Sequence, residues 1–109
     1  MDNIFEIPDN SSGEEIFEDI LKKDNLEWFR LERIISFGNR SPEEGWYDQQ
    51  WNEWVMVVKG EAVLEFETGA STELITGDHI FIEKNVKHKV SYTSDDCVWL
   101  ALHFKERSN

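Results

Sequence analysis

One cysteine, Cys97, is all the sulfhydryl this 109-residue chain carries, so an internal disulfide is excluded. Basic residues are scarce. Eleven Lys and Arg stand against 23 Asp and Glu, for a formal charge of −12. So negative a chain repels phosphate backbones and anionic lipid, which argues against nucleic-acid and membrane-surface partners. No apolar run reaches the length of a membrane span. The opening MDNIFEIPDN is acidic and lacks the apolar stretch of a signal peptide. The expected location is the cytoplasm. Cys97 sits in Cys97-Val98-Trp99-Leu100 with Asp95 and Asp96 before it, the setting of a buried apolar thiol rather than a nucleophile.

What is present is aromatic and β-branched. Seven Phe, five Trp and two Tyr require a sizeable buried surface, and the length suits one core. Two stretches organise the chain. The first, Gly45 to Gly60, is GWYDQQWNEWVMVVKG: an aromatic and amide-rich loop, then Glu53, then the apolar run Trp54–Val58, then a turn. The second, Gly77 to Val90, is GDHIFIEKNVKHKV: a turn, a β-rich run, a polar loop and a histidine. Short β-rich runs bounded by turn residues read as strands. They are expected at Trp28–Phe37, Trp54–Val58, Glu61–Glu67, Thr72–Ile75, His79–Ile82, His88–Thr93 and Val98–Phe104. In Glu61–Glu67 the alternation predicts an acidic outer face. Ile4–Ile7 reads as an edge strand or an extended arm.

A short helix is expected ahead of these strands. Ser12-Gly13-Glu14-Glu15 has capping-box spacing, and Ile16, Phe17, Ile20 and Leu21 recur at helical intervals. Lys22 and Lys23 suit a last helical turn, and Asp24-Asn25 ends it. The expected organisation is therefore an N-terminal arm with a short helix over residues 1–25, followed by an all-β barrel over residues 26–109.

The two organising stretches resemble the paired motifs of the cupin family, over about Leu26 to Phe104. In the first motif two His, one residue apart, precede a Glu, with a Gly seven residues beyond it. Here Glu53 and Gly60 keep that spacing, while Tyr47 and Gln49 stand at the His positions. In the second, Gly77, Asp78, Ile82 and His88 match, and Glu83 replaces the usual Pro. The pattern WYDQ…EWV…GEA and the ending WLALHF resemble a subgroup of small single-domain cupins. The resemblance implies a double-stranded β-helix, the jelly-roll barrel, and a pocket of Tyr47, Gln49, Glu53, His88 and His103 for a small molecule. It also implies a divalent metal (Zn, Ni, Fe or Mn) held by His88, Glu53, Gln49 and His103. The residue types support that set only in part, because an amide is a poor ligand and only two positions of the motifs offer an imidazole or a carboxylate.

The bland readings stand beside these. His88 serves a cavity or is a satisfied structural histidine. His103 shares a strand face with Trp99 and Ala101, and is a hydrogen-bonded core histidine or a second imidazole for the site. His79, at a turn, reads as a surface residue. Gln49 and Tyr47 are expected to hydrogen-bond His88 or each other. Glu53 is a ligand, or a partner of Arg30 or Arg33. Trp46, Trp51 and Trp54 read as rim or interface packing. Two functions follow: a small-molecule-binding cupin, with or without metal, or a non-catalytic module working as a homodimer. In the second, Trp28, Trp51, Trp54 and the arm Ile4–Ile7 supply the contact surface.

Overall fold

Eight strands in two antiparallel sheets build the molecule in a computed structural model, which describes residues 3–10, 12–21, 29–41 and 45–105. They are β1 (Ile16–Leu21), β2 (Phe29–Ser36), β3 (Asn52–Lys59), β4 (Glu61–Phe66), β5 (Ser71–Ile75), β6 (His79–Ile82), β7 (His88–Thr93) and β8 (Cys97–Phe104). The larger sheet runs β1-β2-β8-β3-β6 and the smaller β5-β4-β7. The two inner faces enclose the core, as in a sandwich closed toward a barrel. Among the described residues no helix is long and apolar enough to cross a membrane.

Strand register decides which side chains face inward, because directly paired residues share a face. His103 on β8 pairs with Arg30 on β2 and with Glu53 on β3. Trp99 pairs with Ile34 and Val57, and Ala101 with Glu32 and Val55. These residues form the inner face of the larger sheet. Across from them lie Ala62 and Leu64 of β4 with Leu74 of β5. Val57, Ala62, Cys97 and Ala101 are all but sealed from solvent. Burying a side chain such as Val57 this fully stabilises by about 1.5–3 kcal/mol.

The seven strands expected from Trp28 onward are present, with bounds that differ by no more than two residues. Trp28 itself lies outside the described residues. The N-terminal helix is not present among them: Ile16–Leu21 is strand β1, paired antiparallel with β2 through Ile16–Ile35 and Phe17–Ile34. The local chemistry explains the difference. Gly13 takes φ +72°, which no helical first turn accepts. Ser12 Oγ accepts from the Glu14 backbone N–H at 3.2 Å. The Glu15 carboxylate accepts from the Ser36 hydroxyl rather than reaching back to cap. IFEDIL carries a helical spacing and no two-residue alternation of its own, and the open edge of β2 selects the strand. Lys22 to Asn25, expected to finish the helix, lie outside the described residues.

The N-terminal segment is an extended arm rather than a strand. Arg33 holds it. Its Nη1 donates to the backbone carbonyls of Asn3, Ile4 and Glu6 at 3.3, 3.0 and 2.8 Å, and its Nη2 pairs with Glu18 at 2.8 Å.

Cys97 lies wholly buried on the inner face. Burial first, then the charges of Asp96 and Glu15, push its thiol up from 9.0 to about 12. As pH rises past 9 the unfolded chain gives up this proton while the folded chain keeps it. Stability from this group is therefore complete below pH 9 and is lost progressively between pH 9 and about 12. At pH 8 iodoacetamide is expected to label Cys97 only after denaturation. Stoichiometric labelling of the native protein, followed by mass spectrometry, would show the thiol within reach.

Candidate functional site

The site is built from two ends. On the larger sheet, β8 carries His103 inward between two carboxylates. Its Nε2 lies 2.9 Å from Glu32 Oε1 on β2, and its Nδ1 lies 3.4 Å from Glu53 Oε2 on β3. A carboxylate oxygen accepts, so Nε2 donates to Glu32, and Nδ1 stands at ion-pair distance from Glu53. The chain of polar groups continues at both ends. Gln49 Nε2 donates to Glu53 Oε2 at 2.9 Å. Arg30 Nη2 stands 3.7 Å from Glu32 Oε2 and Arg30 Nε 4.0 Å from Asp19, with half its side chain in solvent.

On the smaller sheet, β7 begins with His88. The loop before β3 is stitched to it. Tyr47 N–H donates to His88 O at 2.7 Å, His88 N–H to Tyr47 O at 3.2 Å, and Asn85 N–H to Gln49 O at 2.7 Å. This bridge sets Tyr47 and Gln49 beside His88, the imidazole ring standing 5.8 Å from that of Tyr47 and 6.3 Å from that of Phe66. His88 Nδ1 lies 2.9 Å from the Val86 carbonyl. A carbonyl only accepts, so Nδ1 carries the hydrogen and Nε2 the lone pair. No described residue bonds Nε2, yet no buried side-chain polar atom among the described residues lacks a partner. The ring is only 4% exposed, so the opening that Nε2 faces is the interior.

Between the two ends lies a cavity of about 220 Å³. Tyr47, Gln49, Glu53, His88 and His103, the five residues singled out in the sequence, all line it. So do Phe17, Ile34, Val55, Leu64, Val90 and Trp99, which make its apolar wall, and Glu15, Arg30 and Glu32. Tyr47 and Gln49 lie in the loop before β3, so the bridge to His88 and the Asn85 bond, rather than strand parity, bring them to Glu53.

The other expectations resolve individually. His103 is a hydrogen-bonded core histidine whose face points inward. Glu53 pairs with Gln49 and His103 rather than with Arg30 or Arg33. Gln49 bonds Glu53 rather than His88. His79 is exposed and lies 5.5 Å from the Trp54 ring. Trp46 and Trp51 lie under Lys89 and Lys105, each ammonium 4.6 Å from the ring centroid, and Trp54 is on the outer face of the larger sheet. Glu32, Glu15 and Trp99 were not singled out as site residues. A signal for Glu32 exists in the sequence: it is a carboxylate inside a β-rich run, on the same alternation as Arg30 and Ile34.

The donor set does not fit a metal ion. Both nitrogens of His103 face carboxylates, and one oxygen of Glu53 already accepts from Gln49 and approaches His103. Of the imidazole nitrogens His88 Nε2 alone offers an unopposed lone pair. Among the described residues no three His, Cys, Asp or Glu gather as a metal site.

Two facing antiparallel sheets around a polar-ended interior cavity define a small β-barrel of the jelly-roll class. The cupin-domain family model matches residues 37–103, and the chain belongs to the cupin superfamily. A crystal structure from Ralstonia eutropha JMP134, designated a "putative mannose-6-phosphate isomerase", shares 35% identity over 97% of this chain and 98% of that one, with a TM-score of 0.87. An RmlC-like cupin from Desulfovibrio desulfuricans shares the fold at 15% identity, covering 95% and 94% of the two chains with a TM-score of 0.74. A cupin superfamily protein from Desulfitobacterium hafniense DCB-2 does so at 12% identity, 92% and 84% coverage and a TM-score of 0.73. No curated protein matches the chain.

Proposed function

We propose that the protein binds a small organic molecule in the cavity between its sheets. The observation that carries this reading is His88: a buried imidazole oriented by a backbone carbonyl, its Nε2 lone pair open to an interior space with one apolar and one polar side. The space equals about seven waters at ~30 Å³ each, which suits a compact metabolite. A lone pair so placed also suits proton abstraction from a bound ligand. The phosphosugar in the designation of the Ralstonia relative fits this chain less well. Phosphate calls for guanidinium, ammonium or clustered backbone N–H groups, and the lining offers one guanidinium, shared with Glu32. Saturation-transfer NMR against a library of small metabolites tests the reading. At least one compound is expected to bind and to lose about tenfold in affinity in His88→Ala. A blank across the library would overturn it.

A second reading concerns assembly. The outer face of the larger sheet carries Leu31, Trp54, Met56, Phe81, Leu100, Leu102 and Phe104, with Phe81 and Phe104 stacked at 5.9 Å. A face this apolar suits a homodimer, for which about 800 Å² per partner is usual. Light scattering at micromolar concentration is expected to give a dimer and Leu102→Glu a monomer. A monomeric wild type would remove the reading.

A further inference from the structure

The hydrogen-bonding inventory of the cavity is one-sided. Most of the N–H groups on its wall have a partner: Trp99 Nε1 donates to Ser36 Oγ at 3.2 Å, Gln49 Nε2 gives one of its two hydrogens to Glu53, and His103 Nε2 meets Glu32 while its Nδ1 stands 3.4 Å from Glu53. What stays unspent among the described residues is almost all acceptor. His88 Nε2, the amide oxygen of Gln49, and the second oxygens of Glu53 and Glu15 have no partner there. The uncommitted donors are the second hydrogen of the Gln49 amide, the Tyr47 hydroxyl, on a half-exposed ring, and Arg30 at the rim, drawn toward Glu32 and Asp19. Charge tilts the same way, with three lining carboxylates against one guanidinium and the His103 imidazole that stands between two of them. The formal charge of −12 deepens the potential that an entering ligand meets.

A ligand must supply what such a wall lacks, since each buried acceptor left without a donor costs about 1–3 kcal/mol. Alcohols donate one hydrogen and bring lone pairs that compete with the wall's own. An ammonium donates three, accepts none, and gains from the carboxylates and from the faces of Trp99 and Tyr47. We infer that the cavity selects a compact protonated amine, up to the size of an amino sugar, over neutral and anionic molecules of the same shape. This rests on the cavity being a ligand site, as proposed above, and adds the charge and donor character of what it takes.

A matched series isolates the claim. Glucosamine, glucose and glucose 6-phosphate share one ring and differ in charge. Each is titrated into the full-length protein while the Trp99 indole and His88 ring signals are followed by NMR. Glucosamine is expected to shift both, with a dissociation constant about tenfold or more below that of glucose. Glucose 6-phosphate is expected to leave them unmoved. Glu53→Gln keeps an acceptor for Gln49 and removes one charge, so it is expected to narrow the gap between glucosamine and glucose. A preference for glucose 6-phosphate, or equal binding of glucose and glucosamine, overturns the inference and leaves the cavity standing as a ligand site. Silence from all three, and from 1,4-diaminobutane as a slimmer amine, overturns both.

Discussion

His103→Leu is expected to destabilise the protein by about 3–5 kcal/mol, the cost of leaving a buried charge without its partner. For a domain near this size that is a fall in Tm of about 15–20 °C, readable by calorimetry. The reason is geometric. Leucine fills the volume, but Glu32 and Glu53 then lose the group that stands between them, at 2.9 Å from one and 3.4 Å from the other. Both carboxylates are nine-tenths buried or close to it, so water does not replace the imidazole. A second substitution separates this from a loss of packing. Glu53→Gln in the His103→Leu background removes one of the stranded charges and is expected to recover more than 1 kcal/mol, a non-additivity that a double-mutant cycle measures. A single substitution costing less than 1 kcal/mol would show that the imidazole is not what balances these carboxylates.

Gly60→Ala is expected to cost about 3 kcal/mol, and Gly69→Ala about 1 kcal/mol, though both replace a turn glycine by the same side chain. Gly60 carries the chain from the larger sheet into the smaller at φ +87°. A Cβ there would stand 2.5 Å from Ser94 Oγ and 3.0 Å from the Cα of Cys97. Ser94 can rotate away only by giving up the bond from the Glu61 N–H at 3.0 Å, and the backbone of a buried strand start cannot move cheaply. Gly69 has φ +96° and nothing within 4 Å of a built Cβ, so only the conformational cost applies. Urea denaturation of the two variants side by side checks the contrast. Equal losses would mean that the corner at Gly60 yields.

The same physics explains what the sequence disclosed. From residue 29 onward each strand shows as a short β-rich run, alternating in Glu61–Phe66 and continuously apolar in Trp54–Val58, with turn residues near its ends. Inner and outer sets such as Trp99, Ala101 and His103 against Leu100, Leu102 and Phe104 could therefore be separated before any pairing was known. Which set faced inward could not. That depends on β2 and β3 flanking β8, a property of three strands together. The pocket residues Tyr47, Gln49, Glu53 and His88 were legible through the resemblance to the cupin motifs, with the shared parity of 47, 49 and 53 as support. Glu32 left a faint signal, a carboxylate within a β-rich run, and Glu15 none, because its role arises only when the chain before β1 comes alongside β2. The region around Ile16 misled because its local spacing is helical, and the strand was selected by the edge of β2, which the spacing does not encode.

Arg33 grips the N-terminal arm by three main-chain oxygens and by no side chain of Asn3, Ile4 or Glu6. Peptide carbonyls are identical whatever residue bears them. The spelling of this segment can therefore wander widely over evolutionary time without loosening its attachment, whereas the cation beneath it holds Glu18 with a second nitrogen at the same time, a two-pronged grip that the single nitrogen of lysine does not reproduce.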